Sequence, residues 1–160
     1  MQLSEAGLDL IKRSEGFRGN TYLDVAGIAT IGYGHQLLPG ESFPNGISEA
    51  QAEQILASDV RQSEQAIQRL VRVPLTQGQF DALVDFCFNL GARKLAASTL
   101  LKDLNAGQYE AARDQLLLWD HVGTQENAGL KARREAEFQL WGSEPAPSIS
   151  STARCSSGLI

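Results

Sequence analysis

Apolar residues recur along most of the chain at the helical spacing of three and four, interrupted by one glycine-punctuated stretch near the N-terminus. The first periodic segment covers residues 4–15, with Ser4 as a good N-cap and Gly16 as a stop. Leu8, Ile11 and Glu15 share one face there, so a carboxyl group sits on the stripe that should turn inward. Over residues 16–36 the pattern predicts short strands: 20–23, a turn at Val25-Ala26-Gly27, then 28–33. Residues 37–46 form a loop rich in Pro and Gly. Residues 48–71 predict a long helix opened by the capping-box pair Ser48 and Gln51 and closed by Pro74. Its apolar positions are Ala52, Ile55, Leu56, Val60, Ile67 and Leu70. Thr76 and Gln79 repeat the capping box before residues 80–90, which are apolar on most faces and read as a central helix. Helices over 98–105, 109–121 and 130–141 follow, separated by glycines.

Composition narrows the class. A chain of 160 residues, 42% hydrophobic and 21% charged, has the material for one packed domain. We expect that domain over residues 1–142, with the Ser- and Pro-rich residues 143–160 as a tail. A net charge of −5 argues against nucleic-acid binding, which rests on clustered Lys and Arg. Residues 1–11 hold no apolar run long enough for a signal peptide or membrane anchor, so accumulation in the cytoplasm is expected. Cys87 lies in a helical stretch and Cys155 in the tail, which makes two free thiols the default; a disulfide would require the tail to fold back.

Cleavage of a glycoside needs an acid to protonate the departing oxygen and a carboxylate to activate water or attack the sugar. The acid needs surroundings that disfavour its charged form. Glu15 has two such features: the inward face of its helix, and a C-terminal position where the helix dipole opposes negative charge. If Val25-Ala26-Gly27 is a three-residue hairpin loop, Tyr22 lies opposite Thr30. Asp24 and Thr30 then become diagonal neighbours on one sheet face, with Cβ atoms roughly 7 Å apart. A four-residue loop would shift the register and part them. Each residue also has an ordinary explanation: a solvated Glu at a helix end, an Asx-turn Asp, a Thr suited to a strand.

Taken together, the runs Glu15-Gly16-Phe17-Arg18, Tyr22-Leu23-Asp24 and Thr30-Ile31-Gly32-Tyr33-Gly34-His35 resemble the signature of phage-type lysozymes, glycoside hydrolase family 24. The gaps of nine from Glu to Asp and six from Asp to Thr match that family's catalytic triad. Leu75-Thr76 and residues 79–91, ending Phe88-Asn89-Leu90-Gly91, resemble its second block; Gly129-Leu130, Arg133-Arg134, Glu137 and Trp141 resemble its third. The resemblance implies an α+β fold, with a small antiparallel-sheet lobe and a larger helical lobe joined by the long helix. It implies a muramidase that cuts the β-1,4 bond between N-acetylmuramic acid and N-acetylglucosamine with inversion, using Glu15 as acid and Asp24 and Thr30 to position water. It implies no metal or cofactor, a monomer, peptidoglycan as substrate, and a holin to release the enzyme to the wall. Phe88 and Asn89 match family positions lining the sugar cleft, though core packing and capping explain them almost as well. His35 matches a histidine that the family uses structurally. Arg133, with Arg134 as the alternative, is the candidate ion-pair partner of Glu15. Val25-Ala26 departs from relatives with a polar side chain after the Asp, which bears on cleft contacts and not on the triad. A non-catalytic wall binder or a lytic transglycosylase are the competing readings; the triad argues against the first and Asp24 against the second.

Overall fold

The structure, a computed structural model, describes residues 1–142. The tail over 143–160, with Cys155, lies outside the described residues. Helix α1 (Glu5–Glu15) begins at Ser4, whose side chain accepts from the Gly7 N–H, and ends at Gly16. Ser4 also gives its backbone N–H and its hydroxyl to Asp81, which ties this cap to the central helix. Leu10 and Ile11 are buried and Leu8 is half-buried, so the inward stripe lies where the periodicity puts it.

Strands β1 (Arg18–Leu23), β2 (Ala29–Gly32) and β3 (His35–Gln36) form an antiparallel sheet in chain order. Tyr22 pairs with Thr30 and Leu23 with Ala29. The Asp24 N–H donates to the Ile28 carbonyl at 2.9 Å, so three residues make the loop, as the site argument requires. Gly27 takes φ +78, the left-handed step that lets such a loop close. The register shifts between Arg18 and Tyr22, so the pairing is irregular only beyond the hairpin.

Helix α2 (Glu49–Leu70) spans 22 residues, about 33 Å at 1.5 Å per residue. Its capping box is complete: Gln51 N–H donates to Ser48 Oγ, and Ser48 N–H donates to Gln51 Oε1 at 2.8 Å. One end packs on β2 and β3 and the other on the helical lobe, which makes α2 the connector. Helix α3 (Gln77–Leu90) starts three residues earlier than its apolar run, because the Thr76–Gln79 box also organises the first turn. Every residue from Gly78 to Cys87 is buried. Helices α1, α2, α4 (Ala92–Ala96) and α7 (Ala128–Trp141) all pack against α3. Fully burying a side chain such as Phe86 contributes roughly 1.5–3 kcal/mol, and α3 carries several.

Two segments differ from expectation. The short helix α4 between Gly91 and Ser98 was not foreseen, since five residues are too few to establish a period. Helices α5 (Thr99–Asn105) and α6 (Tyr109–Leu116) follow, but α6 stops well short of His121. Leu117 and Leu118 are exposed, so prolonging the helix would bury nothing more, and Trp119 instead sets its ring edge-on to Phe86 at 5.5 Å. His121 and Val122 (β4) pair with Gln125 and Glu126 (β5) in a small ribbon turned at Gly123. Asn127 then caps α7, whose first residue, Ala128, lies two residues before the expected start.

Candidate active site

Glu15 is the last residue of α1, and its side chain keeps 22% exposure. Its Oε1 accepts a hydrogen bond from Arg133 Nη1 at 2.8 Å. Arg133 holds two further bonds, from Nε and Nη2 to the two oxygens of Asp85, each at 2.9 Å. Asp85 is completely buried in α3, and the paired geometry is the strong bidentate form. Burial works against the Arg133 charge, but the bonds to Asp85 and the charges of Asp85 and Glu15 outweigh it, so its pKa is raised further. Arg133 is therefore a permanent cation clamped between α3 and α1. On the other side, Gly34 holds φ +74, and a Cβ there would stand 2.6 Å from Glu15 Oε2. The carboxyl group is thus confined between a guanidinium and a glycine backbone.

The hairpin presents a second carboxylate. Asp24 Oδ1 accepts the N–H groups of Ala26 at 2.8 Å and Ile28 at 2.9 Å, as an Asx-turn residue does. Its Oδ2 receives only a long bond, 3.4 Å, from Gln36 Nε2. The ordinary and the chemical explanations of Asp24 therefore coexist, one on each oxygen. Thr30 is buried, and its hydroxyl donates to the Ile28 carbonyl at 2.9 Å, leaving its oxygen to accept. Tyr22, Thr30 and Gln36 lie directly opposite one another across the sheet, and Asp24 is two residues from Tyr22 on the same face. Burial is the main cause that raises the Tyr22 pKa, and the negative charges of both Glu15 and Asp24 add to it against the cation of Arg18.

The remaining candidates separate. Asn89, in the last turn of α3, accepts at Oδ1 from Arg134 Nη2 at 2.5 Å. Phe88 is half-buried and packs against the core, so core packing accounts for much of its surface. His35 belongs to the sheet's support: Nδ1 meets Asp59 Oδ2 at 2.7 Å and Nε2 meets Glu41 Oε1 at 2.8 Å. Burial opposes its charge, but the bonds to Glu41 and Asp59 raise its pKa overall. Asp85, Gln36 and Gly34 were missed by the sequence reading. A signal for Asp85 existed: an aspartate in an otherwise apolar helix must find a cation, and Arg133-Arg134 offered one. A separate groove of about 640 Å³, bounded by Leu10, Phe17, Tyr33 and Leu140 among others, includes none of Glu15, Asp24 and Thr30.

A carboxylate at the end of α1, beside the turn that follows β2, and a second on the β1–β2 hairpin are the residue types that glycoside hydrolysis calls for. The chain belongs to the phage lysozyme family, whose model matches residues 12–137. It is 42% identical over 137 residues to the endolysin of Salmonella phage P22, covering 84% of this chain and 94% of that one. The endolysin from Escherichia coli O157:H7 phage FAHEc1 superposes with a TM-score of 0.81 at 37% identity, covering 92% of this chain and 97% of that one. The muramidase domain of SpmX from Asticaccaulis excentricus superposes with a TM-score of 0.80 at 34% identity, covering 88% and 97%. The α+β two-lobed architecture is that of these lysozymes, and the chain is a peptidoglycan-hydrolysing enzyme of the endolysin type.

Proposed function

We propose that Glu15 is the general acid of this lysozyme and that Asp24 and Thr30 together hold and activate the attacking water. Glu15 gives its proton to the glycosidic oxygen as the bond to the anomeric carbon of N-acetylmuramic acid breaks. Water, donating one hydrogen to Thr30 Oγ1 and the other to Asp24 Oδ2, attacks that carbon from the opposite face. Asp24 takes up the proton that the water loses, and the product anomer is inverted. The use of each oxygen supports this division. Thr30 has already spent its own proton on Ile28. Asp24 has one oxygen fixed by the turn and the other nearly free. The observation that carries the proposal is the Glu15 carboxyl pinned at 2.8 Å by Arg133 and set against Gly34, in the turn between β2, which carries Thr30, and β3.

Asn89 extends the reading to substrate contact. With Oδ1 engaged by Arg134, its amide N–H groups are left to donate to an acetamido carbonyl; Phe88 would line the same subsite. The catalytic domain occupies residues 1–142, acts as a monomer, and stays in the host cytoplasm until a holin opens the inner membrane. No helix among the described residues is long and apolar enough to cross a membrane. Digestion of purified peptidoglycan tests the reading in one experiment. Reducing N-acetylmuramic acid ends, released first as the inverted anomer, are expected. A retained anomer or a 1,6-anhydro sugar would refute it. Fractionation of expressing cells before and after membrane permeabilisation checks the route.

A further inference from the structure

Two aliphatic side chains of the sheet lobe stand in the open beside Asp24, and neither has a part in the mechanism. Helix α2 covers one face of the sheet: Ile31 is fully buried, and His35 meets Asp59 of that helix. Thr30 and Gln36 alternate with these residues and so point to the other face. Asp24 belongs to that second face as well, because its Oδ2 meets Gln36 Nε2 across β2. Ile28 lies directly opposite Asp24, since its carbonyl accepts the Asp24 N–H, and its side chain shares the face. The Leu37 N–H donates to the Ala29 carbonyl at 2.9 Å, which carries the β2–β3 ladder one step on and sets Leu38 beside Ile28. In keeping with that alternation, Leu37 is half-buried and Leu38 exposed. The face turned away from α2 therefore carries two rows, Tyr22–Thr30–Gln36 and Asp24–Ile28–Leu38.

Ile28 is 42% exposed and Leu38 62%. One exposed aliphatic residue is ordinary, but two side by side next to a reacting carboxylate are placed to touch what it acts on. Their backbones are fixed without help from these side chains. Ile28 gives its N–H to Asp24 Oδ1 and takes the Asp24 N–H and the Thr30 hydroxyl on its carbonyl. Leu38 gives its N–H to Glu41 Oε1 and accepts from the Glu41 N–H. Leu23, exposed too, pairs with Ala29 and lies on the opposite face.

We propose that Ile28 and Leu38 are specificity-determining residues that receive the acetamido methyl group of the sugar ring under attack. The inference rests on Asp24 and Thr30 holding the attacking water. Apart from its ring C–H faces, a glycan strand is apolar only at its acetamido and lactyl methyl groups. With the water held at Asp24 Oδ2, the anomeric carbon is the ring atom nearest to it, and the next ring carbon bears the acetamido group. The lactyl ether is one carbon further. Directly opposite residues have Cβ atoms about 5 Å apart, a span that suits the nearer substituent. Because the backbone already holds both residues in place, little ordering cost offsets the gain from burying the methyl group. A de-N-acetylated strand would bring an ammonium against the same aliphatic carbons, where nothing replaces its water. The patch therefore selects N-acetylated glycan.

A cycle between protein and substrate tests the assignment. The Glu15→Gln enzyme, used so that binding proceeds without cleavage, is pelleted with intact sacculi and with chemically de-N-acetylated sacculi. The same enzyme carrying Ile28→Thr and Leu38→Ser is treated alike. On intact sacculi the added pair is expected to raise Kd about fourfold, the worth of roughly one buried methyl group. On de-N-acetylated sacculi it should change Kd by less than about twofold. The new amines act on both enzymes, so the ratio of the two losses is what counts. Equal losses on both walls, or none on either, would overturn the proposal. With Glu15 restored, the pair should raise KM by a similar factor and leave kcat within about twofold. A loss confined to kcat would mean that Ile28 serves only to hold Asp24, and would overturn it too. If the substituted enzyme fails to fold by circular dichroism, methyl-labelled Glu15→Gln enzyme decides. Nuclear Overhauser contacts between the Ile28 and Leu38 methyls and the acetamido methyl of a bound muramyl oligosaccharide support the assignment, and their absence overturns it. Parental kcat in Asp24→Asn would instead refute the water-holding pair, whatever these ratios show.

Discussion

The two halves of the active site are built on opposite plans. The hairpin half is local: Asp24 is held by Ala26 and Ile28, Thr30 by Ile28, and the farthest contact is Gln36, twelve residues along. The helical half is assembled across the chain. Glu15 meets Arg133 over a separation of 118 residues, and Arg133 meets Asp85 over 48. Local geometry is set by the turn alone and tolerates side-chain changes elsewhere. The long-range half depends on three helices docking correctly, and it puts charge where water is excluded. The lesson is that Glu15 is coupled to the docking of the whole helical lobe, whereas Asp24 and Thr30 are not.

Loss of the reacting groups should give the largest effects and should look alike in both halves. Glu15→Gln removes the transferable proton, and we expect lysis to fall by about a hundredfold to ten-thousandfold with the thermal midpoint little changed. Asp24→Asn should lose activity on a similar scale, because the freer oxygen, Oδ2, is the one asked to accept a proton. Turbidity clearing of permeabilised Gram-negative cells, alongside thermal unfolding, reads both. An Asp24→Asn enzyme with full activity would remove the carboxylate from the hairpin half.

The contrast sharpens one layer back. Arg133→Met strands the fully buried Asp85 without its cation, which should cost roughly 3–5 kcal/mol of stability as well as activity. Gln36→Ala, the hairpin counterpart, removes one long and exposed bond. Its stability is expected within about 0.5 kcal/mol of the parent. Urea unfolding of the two variants checks the comparison; equal losses would mean that the halves are not built differently. Gly34→Ala falls between them. Its Cβ would meet the Glu15 carboxyl at 2.6 Å, so activity should drop by more than the roughly 1–2 kcal/mol of backbone strain at φ +74 alone would explain.

The same division decides what could be read in the sequence. The caps at Ser4, Ser48 and Thr76, the three-residue loop and the Tyr22–Thr30 register are all short-range, and residue types within a few positions determine them. The Glu15 stripe was legible because helical period alone turns it inward. Asp85 was not, since no spacing tells that an arginine of α7 will bridge a carboxylate of α1 and one of α3 at once. The stop of α6 escaped for a related reason. Exposure of Leu117 and Leu118, and not a breaker residue, ends that helix, and exposure is a property of the assembled lobe.

His35 offers the mildest test, because it belongs to the sheet lobe yet bridges distant segments. It links β3 to Asp59 on α2 and to Glu41 in the loop, at 2.7 and 2.8 Å. Folding raises its pKa above the ordinary value near 6.5, so the protonated form is the one the fold stabilises. The sign follows from linkage: this stabilisation is fully present below the unfolded pKa and is lost as pH rises through the folded one. Glu41 bounds the window from below. Its pKa is lowered first by the Leu38 N–H and then by His35, so its share is lost as pH falls through the folded value. His35→Asn should therefore cost most between about pH 4.5 and 6.5, on the order of 2 kcal/mol for a charge-assisted pair of bonds, and visibly less at pH 8.5. Urea unfolding of parent and variant at pH 5.5 and 8.5 measures the difference. A gap that widens toward high pH would mean that the imidazole is held neutral, and that this bridge is an ordinary hydrogen bond and not an ion pair between the lobes' connecting helix and the sheet.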